Sequence, residues 1–529
     1  FPYKDFRLGQ SDIILDVFRA IKKGRRLLVE APTGIGKTLS VCYAAVKALG
    51  EGAGKRIFYL TPKSTVGAAP AAAFDAMRAH GLKIRVITLM AKEKCCLCRE
   101  AVRDCSHVLC ENSEGHYDRI SDALYELISH DTITPELTRE TAAKHRVCPY
   151  ELSLDAAMFA DVIICDCNYL FDPRVYLRRF FDEGCDPAEN IALIDEAHDL
   201  VDRARDMYSA KVARSDVSLL GDIIPESDFI LYSPLQAYLR EFSRLKKRCG
   251  ETLRETEEGE FGTHLSREPF DALVDAAEDF SKAAFEWLKT NGAALDGLTL
   301  PVPEKKDRLI ADEVRDAAYA ARTFAKACER ADKRFRHLVE VERGDIRVKL
   351  MCMDPSRLLL ERTLRVRACV LFSATLTPID YFSDLLLAKK CTAVQLPSPF
   401  EREQLFTAVM DRVSLRLADR ERTIGDVVEI IDAAVSAKRG NYLVFLPSYA
   451  MLRKVARHYK SIADGVRIIT QKQDMLPADR EAFLAKFREG GAVVGFAVLG
   501  GVFSESVDLA GERLSGVVII GTGLASLNT

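Results

Sequence analysis

Two stretches of the chain alternate short apolar, β-rich runs with helical patterns, which predicts parallel sheets flanked by helices. The first has its apolar runs at 26–30, 56–61, 161–165, 191–194 and 368–372; the second has them at 442–445, 466–470, 492–498 and 517–520. Two segments interrupt the first stretch. Residues from about 90 to 150 hold a cluster of cysteines, and residues from about 205 to 350 show almost no strand signal. Within the latter, Leu273, Ala277, Phe280, Ala284 and Leu288 recur at helical spacing, and Gly292 stands where a C-cap belongs. This stripe reads as core packing, and the insertion as a helical domain. No internal repeat or low-complexity tract is evident.

Length and composition refine this picture. At 529 residues the chain exceeds one core and predicts three or four domains of ~150 residues each. The 48% apolar and 29% charged residues are ordinary for a soluble globular enzyme, and the expected location is intracellular, cytoplasmic and nucleoid-associated. No apolar run approaches the ~20 residues of a membrane span, and no charged-then-apolar leader opens the chain. The net charge of −3 excludes a bulk polycation, so any nucleic-acid binding must come from local grooves. The densest basic patch is Lys333-Arg334-Phe335-Arg336-His337 with Arg343, Arg347 and Lys349. It reads either as a backbone-tracking groove with Phe335 for stacking, or as a solvated helix face.

The first chemistry-bearing run is Ala31-Pro32-Thr33-Gly34-Ile35-Gly36-Lys37-Thr38, between an apolar strand and a helix. Glycines let backbone N–H groups curl around phosphates, and the helix N-terminus adds partial positive charge. Lys37 suits the β- and γ-phosphates, and the Thr38 hydroxyl suits Mg²⁺. A second apolar run leads directly into Asp195-Glu196-Ala197-His198. A buried strand ending in two carboxylates places them at the sheet's carboxyl edge, beside the phosphate loop. Asp195 is then the Mg²⁺ partner and Glu196 the residue that orients or deprotonates water, with His198 beside them. Ser373 and Thr375 end a further strand with two hydroxyls suited to coupling nucleotide to nucleic acid. The run from Gly500 to Leu509, with Gly501, Glu505 and Asp508, forms a polar glycine turn in the second sheet.

Fifteen cysteines are present, and six (Cys95, Cys96, Cys98, Cys105, Cys110, Cys148) share one short stretch. In a large, leaderless chain such clustering points to metal rather than to disulfides. His107 and His116 lie nearby but read as ordinary surface or core histidines. The remaining cysteines, including Cys165 and Cys167, read as small core residues.

This ordered set resembles the superfamily-two helicases, specifically the XPD/DinG branch with an iron–sulfur domain. A-P-T-G-I-G-K-T, D-E-A-H, F-S-A-T-L, L-P-S-P-F at Leu396–Phe400 and G-G-V-F-S-E-S-V-D-L occur in that family's order over nearly the whole chain. The resemblance implies an α/β fold of two RecA-like parallel-sheet motor domains, with an Fe–S insertion and a helical Arch insertion in the first. The boundaries drawn on this basis are 1–89, 151–204 and 351–395 for the first motor domain, 90–150 for the Fe–S domain, 205–350 for the Arch and 396–529 for the second motor domain. It implies ATP and Mg²⁺ as cofactors, Arg7 and Gln10 as an adenine-reading segment, and 5′-to-3′ translocation on single-stranded DNA by a monomer. It also implies a 4Fe–4S cluster, for which Cys96, Cys105, Cys110 and Cys148 are the chosen ligands and Cys95 and Cys98 the alternatives. A four-cysteine Zn²⁺ site is the rival.

Departures from the family's pattern are a looser Thr61-Pro62-Lys63-Ser64-Thr65 segment and Ser506 where glycine is usual. No Q-x-x-G-R-x-x-R helix occurs before Thr529, and Phe1 rather than Met opens the chain. Both ends are therefore expected to be shortened. The expected function is an ATP-dependent DNA helicase of repair or replication-structure processing. The alternatives are an RNA or nucleoprotein remodelling ATPase and a non-turnover ATP-binding regulatory or redox-sensing module.

Overall fold

The computed structural model describes residues 1–61, 68–97, 110–112, 115–256, 259–291, 310–416, 418–504, 507 and 509–521. They fall into two units, Phe1–Glu401 and Arg402–Thr529.

The first unit opens with strands β1 (Arg26–Glu30), β2 (Arg56–Thr61), β3 (Val86–Thr88), β4 (Thr132–Ile133), β5 (Val162–Asp166) and β6 (Asn190–Ile194). An insertion follows with β7 (Ala210–Ala213), β8 (Arg254–Thr256), β9 (Gly259–Ser266), β10 (Phe335–Glu342) and β11 (Asp345–Cys352). The chain then returns with β12 (Ala368–Ser373) and β13 (Thr392–Gln395). The main sheet has the order β13-β1-β12-β6-β2-β5-β3-β4, with every neighbouring pair parallel. Its central strands are covered on both faces, which is why they read as unbroken apolar runs. Alternate side chains serve different cores. Leu27 and Val29 pack with Ile13, Val17 and Ile21 of helix α1 (Gln10–Lys22) and with Val41, Ala44 and Ala48 of helix α2 (Lys37–Gly50). Leu28, Phe58, Leu60 and Leu371 face the other way, into a core shared with the insertion. The predicted strands all form; β3, β4 and β13 join them at the edges.

The insertion over 205–350 departs from the expected helical domain. It does contain helices, among them Tyr232–Lys246, Asp271–Asn291 and Ile310–Glu329, and Leu273, Ala277, Phe280 and Ala284 are buried as the stripe predicts. Leu288 packs at that core's margin, and Gly292 lies outside the described residues. But these helices lie with a five-stranded antiparallel sheet, β7-β11-β10-β9-β8. In β10, Phe335, His337, Val339 and Val341 are buried while Arg336, Glu340 and Glu342 alternate with them. Charged residues on the wet face break up the apolar run, so period-two alternation hides as noise.

The same hairpin corrects the basic-patch expectation. Lys333 to Lys349 is no helix face, and Phe335, only 3% exposed, cannot stack on a base. Several of its cations are occupied: Arg334 pairs with Asp332, Arg347 with Glu342 and Asp345, and Lys349 with Glu340 at 2.5 Å. Arg336 donates to the backbone oxygens of Lys333 and Phe335.

In the second unit, β14 (Tyr442–Leu446), β15 (Arg467–Thr470), β16 (Val493–Val498) and β17 (Gly516–Ile519) form a parallel sheet of order β15-β16-β14-β17. The division between the units falls after the expected 395/396 boundary. Leu396 stays with the first unit because its N–H donates to the Glu30 carbonyl at 2.9 Å. No helix among the described residues is long and apolar enough to cross a membrane.

Candidate nucleotide site

The loop between β1 and α2 owes its shape to two glycines. Gly34 and Gly36 adopt φ of 88° and 85°, a left-handed conformation that residues with a Cβ rarely tolerate. A Cβ on Gly36 would also lie 2.6 Å from the Gln10 amide. The loop is thus lodged against the segment expected to read adenine. Arg7 donates to the Gly34 carbonyl at 2.8 Å, and the Arg7 N–H donates to Gln10 Oε1 at 2.7 Å. Gln10 is buried. Thr33 and Gly34 are exposed, whereas the Ile35 side chain points into the core, leaving only its backbone to meet a ligand. Lys37 begins α2, half-buried. Burial lowers its pKa below the ordinary 10.5, and the charges of Glu196 and Asp195 oppose that shift.

β6 delivers Asp195 and Glu196 beside this loop. Asp195 is buried, and burial raises its carboxyl pKa, while the Tyr59 hydroxyl pulls it back by donating to Oδ2 at 2.5 Å. Tyr59 also lies in hydrogen-bond reach of Thr38, so it ties the two residues predicted to hold Mg²⁺. Tyr59 was not foreseen, because it reads as one more apolar residue of β2. The donor set fits the ion: a hydroxyl and a carboxylate are the hard oxygen ligands Mg²⁺ takes. Glu196 holds a left-handed backbone, φ 45°, at a cost of about 1–2 kcal/mol for a residue bearing a Cβ. Its Oε2 accepts from Ser373 Oγ at 3.2 Å, and His198 Nδ1 lies 2.7 Å from that same Oγ. His198 Nε2 faces Asp199 Oδ1 at 3.2 Å. Ser373 therefore bridges the Glu196 carboxylate and the His198 ring. Thr375 joins only through its backbone N–H, which donates to Ser373 Oγ at 3.3 Å; its side chain is exposed.

Glu30, also unforeseen, closes the arrangement. Standing at the end of β1, it accepts from the Leu376 N–H at 3.0 Å, Thr377 Oγ1 at 2.7 Å and Gln395 Nε2 at 2.5 Å. It links the strand feeding the phosphate loop to the loop that follows Ser373.

Of the residues predicted in the second unit, Gly501 follows β16 in a turn, its N–H donating to the Val498 carbonyl at 3.0 Å; Glu505 and Asp508 lie outside the described residues. Among the cysteines, Cys98 and Cys105 lie outside them too, as does His107. The described thiols single out Cys95 rather than Cys96 as the one buried beside Cys148. Burial first, then the nearby Cys148, pushes the Cys95 thiol up to about 12. His116 is buried, and its Nδ1 accepts from the Cys148 N–H at 3.2 Å, as a core histidine does. Cys165 and Cys167 are buried core residues. Among the described residues, no group of three or more His, Cys, Asp or Glu is placed to hold a metal.

Three family models match parts of the chain. The DEAD/DEAH box helicase family matches residues 11–126, the DEAD_2 family residues 77–217 and the helicase C-terminal domain family residues 431–529. A solved structure described as an XPD helicase superposes with a TM-score of 0.55 at 18% identity, covering 98% of this chain and 85% of its own. Together these matches support an XPD-like superfamily-two helicase. This XPD-like chain is 22% identical to Regulator of telomere elongation helicase 1 of Bos taurus, over 98% of its own length and 52% of the relative's. It is 21% identical to ATP-dependent DNA helicase CHL1 of Meyerozyma guilliermondii, over 73% of its own length and 49% of the relative's. The chain thus spans about half the length of these curated relatives.

Proposed function

We propose that this chain is an ATP-dependent DNA helicase that moves along single-stranded DNA in the 5′-to-3′ direction, as a monomer, in DNA repair or the processing of replication structures. The observation that carries the reading is the gathering of Lys37, Thr38, Asp195 and Glu196 at one sheet edge, with Ser373 bridging Glu196 to the next strand. The phosphates of ATP would lie on the N–H groups of the glycine loop, with Lys37 neutralising the γ-phosphate. Thr38 and Asp195 would hold Mg²⁺, and Glu196 would orient the attacking water while Ser373 and His198 hold its carboxylate. A relative named as an ATP-dependent DNA helicase supports the choice of ATP and DNA. The cysteine segment is proposed to bind a 4Fe–4S cluster through Cys105, Cys110, Cys148 and either Cys95 or Cys96. A cluster held there would brace the segment rather than act in redox chemistry.

The test is strand displacement on duplexes with 5′ or 3′ single-stranded tails, alongside DNA-stimulated phosphate release. Unwinding from 5′ tails, lost in Lys37→Ala, is the expected result. Phosphate release indifferent to DNA, or untouched by Lys37→Ala, refutes the assignment. Preferential displacement of RNA duplexes would favour a remodelling ATPase instead.

A further inference from the structure

The first unit contains a solvent-open cavity of about 920 Å³ on the side of the main sheet away from the phosphate loop. Pro187, just before β6, and Leu364 and Arg365, just before β12, contribute to its wall. Asp195 and Ser373 stand at the opposite ends of those strands, so about 17–20 Å of strand separates cavity from nucleotide site.

The wall is lopsided in charge. Seven arginines and lysines line it against three carboxylates, in a chain whose net charge is −3. Arg174 is neutralised by Asp172 at 2.8 Å, and Arg365 reaches Glu183 at 3.4 Å. Arg178, Arg322, Lys326, Arg330 and Arg362 make no ion pair with any described residue. Glu361, the nearest candidate in sequence to Arg362, is already paired with Arg357 at 3.0 Å.

The arrangement of these cations narrows the ligand. Arg322, Lys326 and Arg330 follow one another at four-residue intervals on and just past the helix Ile310–Glu329. That gives a row with a rise of about 6 Å per step rather than a converging point. Exposed Tyr319 stands one turn earlier, and Tyr176 also lines the cavity, with the Arg362 guanidinium 4.0 Å from its ring centroid. A compact phosphate is met by cations that converge. A row of cations with aromatic faces beside it matches a strand's phosphates and its bases. We propose that this cavity is a second single-stranded nucleic-acid site, holding a few nucleotides apart from the nucleotide-driven motor. The site is independent of whether the chain turns over ATP.

The test is binding of labelled oligodeoxythymidylate to the full chain over a salt series, comparing wild type with R322Q/K326Q/R330Q. Each phosphate contact on a single strand contributes about 0.7 to the log–log salt slope, so the slope should fall by about 2, and affinity at about 0.1 M salt, referred to about 1 M, by roughly a hundredfold. All three side chains are exposed, so the melting transition and DNA-independent ATP turnover should not change. A bromodeoxyuridine strand should cross-link at Tyr176 or Tyr319. An unchanged slope, with cross-links elsewhere, overturns the proposal. So does equally tight saturation by tripolyphosphate that is lost in the triple variant, which would make the cavity a small-anion site. If wild type binds strand through this helix yet releases no phosphate, the cavity stands and the helicase reading falls. If phosphate release is strand-stimulated and the variant binds like wild type, the reverse holds.

Discussion

Replacing Glu30 by glutamine should loosen the loop after Ser373 without altering the phosphate loop itself. The Glu30 carboxylate accepts three hydrogen bonds, from Leu376, Thr377 and Gln395. A glutamine keeps one acceptor and turns an N–H₂ toward the remaining donors, so one or two of these bonds are lost. A hydrogen bond to a charged group contributes about 1.5–3 kcal/mol when sheltered. Glu30 is only partly covered, so screening reduces this to about 0.5–1 kcal/mol each and about 1–2 kcal/mol in all. The Leu376 amide should then exchange hydrogen about 5–30 times faster in the variant, read by mass spectrometry of the peptide that contains it.

The pH dependence of this gap carries a definite sign. Burial pushes the Glu30 pKa up, but the bonds from Gln395, Thr377 and Leu376 outweigh it and leave the carboxyl below its ordinary 4.5. A depressed carboxyl pKa contributes stability above its unfolded value and loses it as pH falls through the folded one. The difference between wild type and variant should therefore be full near neutrality and close as the pH falls through and below the ordinary carboxyl value of 4.5. Equal exchange in the two proteins at neutral pH, or a gap that persists in acid, refutes the clamp.

Other outcomes follow from the same geometry. Because burial lowers the Lys37 pKa, ATP affinity should weaken on an alkaline limb centred below 10.5, and Glu196→Gln should move that limb to lower pH in binding titrations; a limb that does not move contradicts the coupling. Ser373→Ala should cut DNA-stimulated ATP hydrolysis about tenfold, with KM for ATP nearly constant, since the bridge to Glu196 acts on chemistry rather than on ground-state binding. Cys148→Ser should abolish bound iron in anaerobically purified protein, and comparing Cys95→Ser with Cys96→Ser identifies the fourth ligand; a colourless, zinc-loaded wild type would replace iron with zinc.

What could be read from sequence alone was whatever the chain encodes locally. A strand breaking into Gly34 and Gly36 and then a helix is a backbone instruction within a dozen residues, since only those glycines relax into the left-handed turn. Asp195 and Glu196 were legible for the same reason, as carboxylates ending an apolar run. The order of motifs along the chain then made the family recognisable. Tertiary structure decided the rest. It made Tyr59, outwardly one of several β2 hydrophobes, the partner of Asp195, and it made Glu30 a clamp on residues more than 300 positions away. It also turned a charged, apparently strandless stretch into β10 and β11, whose cations pair across the hairpin instead of waiting for DNA. Contacts of this kind depend on which strands neighbour one another in the sheet. That order follows from packing the whole core, and no local pattern of residues specifies it.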